Sequence, residues 1–361
     1  MQKLLAAFTG APEVNRVYQC DALTLLRAMP SASVALVAVD PPYNGVKDEA
    51  WDNQWATDAD FLEWLRAHLI EFRRVLKPNG SLYLFASPRM AARVEVLTGE
   101  YFNVLNNIRW VKDAGWHNKT SKEEIRSYLE PWEAAIFAEQ FSADHKYSTL
   151  EYELNGYVFK PLKEWFRGRV KEYGIGLSQL NAALGAATNG GGLASGYFGD
   201  KVEFQLPTEQ RYTQMQNAFP GAFNREYEEL RREYEELRRE YEELRRPFNV
   251  SADVAHTDTW SYSTVQPFAG KHPCEKPAAM MQHIVNASSR PGDLVLDCFC
   301  GSGATLAAAY QLGRQYIGCD MDANWVQVAR NRCVKEFGGR SRSTVTKLDD
   351  LPLFAAPMLA G

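Results

Sequence analysis

An uninterrupted apolar run, Val34–Val39, constrains the fold more than any other stretch of this sequence. Consecutive apolar residues without polar alternation indicate a strand buried on both faces, which is typical of a parallel sheet covered by helices. Asp40-Pro41-Pro42-Tyr43 follows the run directly. Ligands of open α/β sheets bind beyond the carboxyl ends of the strands, so we expect these four residues at the rim of a binding site.

The chemistry of this tetrapeptide suits an amine on a planar ring. The Asp40 carboxylate can accept hydrogen bonds from an amino group. The two prolines stiffen the turn and remove two backbone donors, which leaves its carbonyls free to accept. The ring of Tyr43 offers a flat face on which a nucleobase can stack. Four residues by themselves favour a plain turn after a strand, so this interpretation depends on the rest of the chain.

Composition predicts a soluble globular protein. The 361 residues suffice for one large α/β domain and a smaller one, and the hydrophobic and charged fractions, 45% and 24%, are ordinary. The longest apolar runs fall well short of a membrane span, and the first residues lack a signal-peptide core, so we expect a cytoplasmic protein without a membrane partner. The net charge of −5 counts mildly against nucleic acid, although local patches rather than totals meet phosphates.

The cysteines give no indication of a metal site. The sequence has six of them, with no Cys-x-x-Cys pair and no histidine spacing typical of zinc. We therefore predict buried, reduced thiols.

The first 140 residues alternate between strands and helices, which is typical of βαβ units. The Pro-Asn-Gly sequence within 77–80 is expected to stop a helix, and the polar, Trp-rich stretch at 51–55 is expected to form a mobile loop. We expect strands at 17–21, 81–86, 101–111 and 134–138, and helices at 22–29 and 60–76.

The loop expected between residues 112 and 130 mixes basic and aromatic side chains, a composition that suits nucleic-acid contact. An ordinary solvated loop explains the composition equally well. The candidate DNA contacts in this loop are Lys112, His117, Asn118, Lys119 and Lys122.

Residues 141–250 differ in character and are expected to form a helical insert. A basic helix at 162–173 carries Arg167 and Arg169, which are further candidate DNA contacts. Short helices follow at 177–184 and at 209–219, the latter with Thr208 as its N-cap, and a glycine-rich turn lies between them. This spacing matches a helix-turn-helix, although many small helical inserts share it.

The heptapeptide Arg-Glu-Tyr-Glu-Glu-Leu-Arg occurs three times, starting at residues 225, 232 and 239. Its Tyr and Leu positions alternate three and four apart, which predicts a helix with one apolar seam. The Glu–Arg spacing adds stabilising pairs along the helix surface. We interpret the repeat as a charged helical spacer; the alternative is a packing arm, either for a second copy or for the chain's own insert.

A second strand–loop–helix segment lies within 293–320. One apolar strand ends at Asp297, the loop contains Gly301 and Gly303, and the next strand ends at Asp320. The glycines let a ligand approach the backbone closely, and a carboxylate after the second strand suits ribose hydroxyls. The third glycine of a dinucleotide site and a phosphate-binding lysine are both missing. The expected ligand is a nucleoside without a pyrophosphate, and S-adenosylmethionine fits that description.

The tetrad and the glycine loop occur with a third motif, His-Pro-Cys-Glu-Lys-Pro at 272–277. In this order the three motifs resemble those of the β-group DNA amino-methyltransferases, in which the catalytic motif precedes the cofactor motif. Cys298 stands where the family's cofactor loop usually has proline. The segment that ends at Glu133 departs from the family's Pro-x-x-His-Glu pattern, so the resemblance does not carry a role over to Glu133.

The resemblance implies a mostly parallel, Rossmann-like sheet of the class I methyltransferase type, with circularly permuted motif order and helices on both faces. It implies a catalytic half at 1–140, a target-recognition insert at 141–250 and a cofactor-binding half at 251–361. The implied catalytic residues are Asp40, Pro41, Pro42 and Tyr43. The implied contacts to S-adenosylmethionine come from Asp21, Asp40, His272, Lys276, Asp297, Phe299, Gly301, Gly303, Thr305 and Asp320.

The implied reaction is methylation of adenine N6 on a base flipped out of double-stranded DNA. The Asp tetrad goes mostly with adenine and the Ser variant with cytosine, so cytosine N4 is the near alternative. A DNA-binding module with an inactive core and a coiled-coil scaffold are the other classes considered. A homodimer and a cognate restriction enzyme are expected partners.

Overall fold

A computed structural model of the chain describes residues 10–46, 48–112, 126–140, 150–186, 192–198, 204–250, 257–266, 268 and 271–336. The chain divides into two compact units. The first unit combines Met1–Phe141 with Arg246–Gly361, and the second unit is Ser142–Arg245.

The first unit is built on an eight-stranded sheet in the order β1-β8-β7-β2-β3-β5-β4-β6. Neighbouring strands are parallel except at β5, which is antiparallel to both β3 and β4. The strands are β1 Arg16–Gln19, β2 Val34–Val39, β3 Leu76–Ala86, β4 Asn103–Val111, β5 Trp132–Glu139, β6 Thr259–Ser261, β7 Leu294–Asp297 and β8 Gln315–Asp320.

Helices follow most strands, as the βαβ pattern predicts. The helices of the first unit are α1 Ala22–Ala28, α2 Asp58–Val75, α3 Pro88–Gly99, α10 Ala278–Ser288, α11 Ala304–Gln311 and α12 Ala323–Glu336. The helices of the second unit are α4 Leu150–Val158, α5 Lys160–Glu172, α6 Leu177–Ala183, α7 Gly192–Phe198, α8 Glu209–Ala218 and α9 Tyr227–Leu244.

Two hydrophobic cores cover the two faces of the sheet, and β2 contributes to both. Val37 and Val39 belong to the core formed with α1, α2 and α3, whereas Leu36 and Ala38 belong to the core formed with α10, α11 and α12. Every residue of β2 is buried. The prediction of a parallel strand between two helical layers is confirmed.

We expected residues 77–80 to stop a helix and to separate it from the following strand, but they lie inside the strand. Helix α2 ends at Val75 and β3 starts at Leu76. Leu76 pairs with Val34, but Ser81 pairs with Leu36, so residues 77–80 bulge out opposite a single residue of β2. The Pro-Asn-Gly signal therefore marks a bulge inside the ladder, since a bulge, like a turn, needs residues that leave regular pairing.

The second unit has its own hydrophobic core, in which Phe166, Tyr212 and Leu230 are fully buried. Thr208 caps α8, as predicted, by accepting a hydrogen bond from the backbone N–H of Arg211. The interpretation of the repeat as a spacer is wrong, because the seam of α9 packs on this core. Apart from Leu230, the seam consists of Tyr227, Tyr234, Leu237, Tyr241 and Leu244.

Candidate active site

The carboxyl ends of four neighbouring strands open into one cavity of about 500 Å³. Each strand end supplies an aspartate to its lining. Asp21 follows β1, Asp320 ends β8, Asp297 ends β7 and Asp40 follows β2. Because parallel strands end at one edge of the sheet, the tetrad and the glycine loop share this cavity although they lie far apart in sequence.

The glycine loop between β7 and α11 lies on the cavity wall. Gly301 has a φ of +45° and Gly303 a φ of +80°, a region that L side chains rarely adopt. The N–H of Gly301 donates to the Asp320 carboxylate at 3.0 Å. A Cβ added to Gly301 would lie 3.1 Å from Nε2 of His272. The loop, His272 and Asp320 therefore form one continuous wall.

Asp297 anchors this loop from the end of its strand. Its carboxylate accepts a hydrogen bond from the Phe299 N–H at 3.1 Å and a further one from Thr305. Burial raises the pKa of Asp297 to about 7, because it outweighs the two hydrogen bonds that favour the charged form. The loop thus rests on a buried carboxyl group at the end of β7.

Aromatic side chains border the same cavity. The ring of Phe299 lies 5.7 Å from that of Trp64 and 5.5 Å from that of His68. The ring of Trp325 meets His272 edge-on at 4.5 Å. Trp64, Phe299 and Trp325 all line the cavity, so flat apolar surfaces stand close to the Asp320 carboxylate.

Lys276 lies at the centre of a second cluster, on the tetrad side of the cavity. Its Nζ lies 2.5 Å from Asp40 Oδ2, 3.1 Å from Glu133 Oε2 and 3.2 Å from the Tyr43 hydroxyl oxygen. An ammonium group has three hydrogens to donate, and each has an acceptor here. The Lys276 side chain is only 7% exposed, so this is a fully satisfied buried charge.

Tyr43 ties the two carboxylates together. Its hydroxyl lies 2.5 Å from Asp40 Oδ1 and 3.0 Å from Glu133 Oε2, and can donate to either. The residue is 8% exposed. Tyr43 therefore lines the cavity, but most of the face that we expected to receive a base is covered by protein.

Asp52 corrects the expectation of a mobile Trp-rich loop. It ends a short 3₁₀ turn, Ala50–Asp52, and is fully buried. Its carboxylate accepts hydrogen bonds from the N–H groups of Tyr43, Asn44 and Val46 at 2.5, 3.0 and 2.7 Å. The turn after the tetrad is thus held by a buried side chain that local sequence patterns did not single out.

Glu133 belongs to the cluster although the resemblance carried no role over to it. It also pairs with Lys112, which we had proposed as a DNA contact. The predicted strand began at Ala134, but β5 begins at Trp132 and pairs Glu133 with Trp110 of β4. Strand alternation was the available signal, since Glu133 lies two residues before Ala135 on the face that Ala135 buries.

The charges of the cluster shift the two carboxyl groups in opposite directions. Burial raises the pKa of Asp40, and the Glu133 charge adds to this rise, whereas Lys276 opposes it. Burial also opposes ionisation of Glu133, but Lys276 and Lys112 outweigh it and lower its pKa to about 2. Glu133 is therefore the more acidic of the two carboxyl groups, and Asp40 is the more basic one.

The other predicted DNA contacts remain predictions. His117, Asn118, Lys119 and Lys122 lie outside the described residues. Within the second unit, Arg167 donates to the Phe198 carbonyl and Arg169 donates to the carbonyls of Gly221 and Ala222. These two arginines therefore have structural partners.

Three further features concern the chain as described. All six cysteines are free, as predicted; the predicted burial holds for five of them, but Cys274 is only partly buried. No cluster of three or more His, Cys, Asp or Glu side chains suited to a metal ion occurs in the described part of the chain. Within the same residues, no helix has the length and apolar character needed to span a bilayer.

Comparison with known proteins decides the family. The family model for N6 and N4 DNA methylases matches residues 34–331. The chain belongs to the N6/N4 DNA methylase family. This protein is accordingly a DNA methyltransferase, and its family uses S-adenosylmethionine as the methyl donor.

Individual relatives of this methylase match over most of its length. DNA adenine methyltransferase YhdJ of Escherichia coli (strain K12) is 26% identical over 324 residues, which cover 89% of this chain and 83% of the relative. Type II methyltransferase M1.MboII of Moraxella bovis is 27% identical over 318 residues, covering 88% and 95%. Among solved structures, the PvuII cytosine-N4-specific DNA methyltransferase is 14% identical with a TM-score of 0.49, covering 88% of this chain and 85% of its own.

Proposed function

We propose that this methylase transfers a methyl group from S-adenosylmethionine to the N6 amine of an adenine flipped out of duplex DNA at a specific sequence. The observation that carries the proposal is the shared cavity of Asp40 and the loop that contains Gly301 and Gly303. An amine held at Asp40 would face a methyl donor held by that loop. The choice of adenine rests on the Asp tetrad, and the similarity to the adenine methyltransferase of Escherichia coli supports it.

The cavity residues fit the proposed methyl donor. Asp320 accepts two backbone N–H groups, from Gly301 and Asp322. A carboxylate offers about four lone-pair sites, so Asp320 has capacity left for ribose hydroxyls. Phe299 and Trp325 offer rings for the adenine of the donor. We propose that these residues, with the glycine loop, hold the nucleoside.

Replacing Gly303 with alanine should weaken S-adenosylmethionine binding at least about tenfold. The new Cβ would lie 2.9 Å from that of Ala329, at a φ of +80° that alanine rarely adopts. Gly313→Ala is the matched control, because Gly313 has a φ of +75° but no atom within 4 Å of a new Cβ. Isothermal titration calorimetry measures the affinity of both variants for S-adenosylmethionine. Equal affinities for the two variants would contradict the proposed role of the loop.

Asp40 is the residue that we propose to receive the target amine. The exocyclic nitrogen of adenine is a poor nucleophile, because its lone pair is delocalised into the ring. Asp40 and the Pro41 carbonyl can accept its two N–H groups and favour a pyramidal nitrogen with the lone pair directed at the methyl group. When bound, S-adenosylmethionine supplies that methyl group on a positively charged sulfur. After transfer, the Asp40 carboxylate can take the proton that the methylated amine releases.

The second unit, Ser142–Arg245, is our candidate for reading the target sequence. Its helices form a separate core, so it can vary without disturbing the sheet. We further propose that the methylase acts in the cytoplasm as a homodimer alongside a cognate restriction enzyme. The type II name of the Moraxella bovis relative supports the latter.

Incubation with methyl-labelled S-adenosylmethionine and unmodified duplex DNA, followed by hydrolysis to nucleosides, tests the proposed function. We expect label in N6-methyladenine. Label in N4-methylcytosine would keep the site and change the base. An absence of label in any DNA nucleoside, with S-adenosylmethionine bound, would contradict the proposal.

A further inference from the structure

Glu133 occupies an unusual position for a charged side chain. It lies near the start of β5, on the face of the sheet that buries Ala135 and Phe137, and its side chain is only 13% exposed. A buried carboxylate costs free energy unless charged or hydrogen-bonding partners compensate it. The compensating groups around Glu133 are Lys276, Lys112 and the Tyr43 hydroxyl.

The two carboxylate oxygens of Glu133 have different partners. Oε2 lies 3.1 Å from Lys276 Nζ and 3.0 Å from the Tyr43 hydroxyl, which can donate to it or to Asp40. Lys276 also contacts Asp40. Oε1 pairs with Lys112, which follows β4. The backbone N–H of Lys112 donates to the carbonyl of Pro131, the residue before β5, at 2.7 Å. Glu133 therefore links the partners of Asp40 to two strands of the sheet.

We propose that Glu133 is a positioning residue for methyl transfer, which holds Lys276 and the Tyr43 hydroxyl against Asp40 and is itself held by Lys112. This inference rests on the proposed function, because it gives Glu133 a role in the reaction at Asp40. Glu133 does not line the cavity, so it acts through Lys276 and Tyr43.

The consequence for Asp40 is electrostatic. A lysine paired with Asp40 alone would place its whole charge on that carboxylate and weaken it as a hydrogen-bond acceptor. Because Lys276 also pairs with Glu133, part of the positive charge of Lys276 is neutralised by Glu133 rather than by Asp40. The Glu133 charge raises the pKa of Asp40, in addition to the larger effect of burial. Asp40 thereby keeps more proton affinity for the weakly acidic amine.

Other titratable groups face Asp40 and must be considered in any pH profile. Tyr43 lies in the same loop, and Lys276 approaches from the segment before α10. Asp297, at the end of β7, has a pKa of about 7 and interacts with the Asp40 charge. Cys274 lines the same cavity. A shift of the pH profile that occurs only in variants of Glu133 separates the effect of Glu133 from the effects of these other groups.

The test compares the pH profile of kcat for wild type, Glu133→Gln, Glu133→Asp and Glu139→Gln. Glu139 is the matched control, because it ends the same strand in a buried pair with Arg246 at 2.6 Å, six residues from Glu133. Loss of the Glu133 charge lowers the pKa of Asp40, so the acidic limb of the Gln variant should move to lower pH. Its kcat should fall about 10- to 100-fold, the range found for supporting partners of metal ligands, with KM for DNA changed less than about threefold.

Glu133→Asp keeps the charge and should retain the acidic limb of the wild type with a smaller loss of kcat. Glu139→Gln should lower the urea midpoint but leave the limb in place. A Glu133→Gln enzyme with the kcat and the acidic limb of the wild type would overturn the proposal. A loss of kcat in Glu139→Gln as large as that in Glu133→Gln would also overturn the proposal.

A double-mutant cycle keeps the inference testable if the wild type methylates no DNA, an outcome that would refute the proposed function instead. The urea midpoints of Glu133→Gln and Lys276→Met should be non-additive, because the two side chains touch. Those of Glu139→Gln and Lys276→Met should add. Additivity in the first pair would overturn the positioning role whatever the activity.

Discussion

An Asp40→Asn enzyme is expected to lose about 10²- to 10³-fold in kcat for methyl transfer, the effect of removing one preorganised electrostatic partner. Because the glycine loop and Asp320 are unchanged, its affinity for S-adenosylmethionine should fall much less than its kcat. Asparagine preserves the shape of the side chain but removes the charge that would polarise the amine and receive its proton. Lys276 keeps Glu133 as a charged partner and the amide oxygen of the new asparagine as an acceptor, so the substitution should cost less stability than removal of Lys276.

Asp258→Asn is the control for this experiment, since Asp258 is exposed and does not line the cavity. Its kcat should equal that of the wild type. Initial rates at saturating DNA, with calorimetric titration of S-adenosylmethionine, separate chemistry from binding. An Asp40→Asn enzyme that keeps more than a tenth of the wild-type kcat would show that Asp40 does not receive the amine.

Replacing Lys276 with methionine should destabilise the fold and reduce activity together. The change leaves Asp40 and Glu133 close to each other without their shared cation. Removing one partner of a buried ion pair costs about 3–5 kcal/mol. The loss should be greatest at neutral pH and smaller in acid, because protonation of Asp40 then relieves the repulsion between the carboxylates.

The acidic limb of the pH profile of this variant should move to higher pH. Lys276 opposes the effects that raise the pKa of Asp40, so its removal raises that pKa further. The direction is opposite to that expected for Glu133→Gln. Lys77→Met is the control, because it breaks a partly buried pair with Asp293 elsewhere in the unit. Urea midpoints across pH that change equally in both lysine variants would contradict the central place of Lys276.

Local sequence patterns were sufficient to predict the elements that carry the site. The apolar runs of β2, β7 and β8 each end in or directly before an aspartate, and all three aspartates reach the cavity. Their parallel pairing follows from continuous apolar character, which requires burial on both faces. The family resemblance predicted that the tetrad and the glycine loop share one site. They do so because β2, which precedes the tetrad, and β7, which precedes the glycine loop, are neighbours in the sheet.

Residues that act through contacts distant in sequence were missed. Glu133 was passed over because its segment departs from the family pattern, and the predicted strand started two residues too late. Asp52 lies in a polar stretch whose composition resembles a loop, yet it caps the turn after the tetrad. Neither a period nor a motif marks such residues, since only the fold brings their partners together.

The heptapeptide repeat is a second case in which sequence alone could not identify the packing partner. Its period predicted helix α9 and its apolar seam, but a period cannot name the surface on which a seam packs. The structure places that surface within the second unit, where Leu230 is fully buried. The spacer interpretation failed because it weighed the charged face of the helix above its narrow apolar side.

The most direct test of the account is to sequence, with base-modification detection, the DNA of a methyltransferase-free bacterial host that expresses either the wild type or Asp40→Asn. The account predicts N6-methyladenine at one short recurring sequence in the first host and none in the second. Unmodified adenine in both hosts, or an equal pattern from wild type and Asp40→Asn, would contradict it.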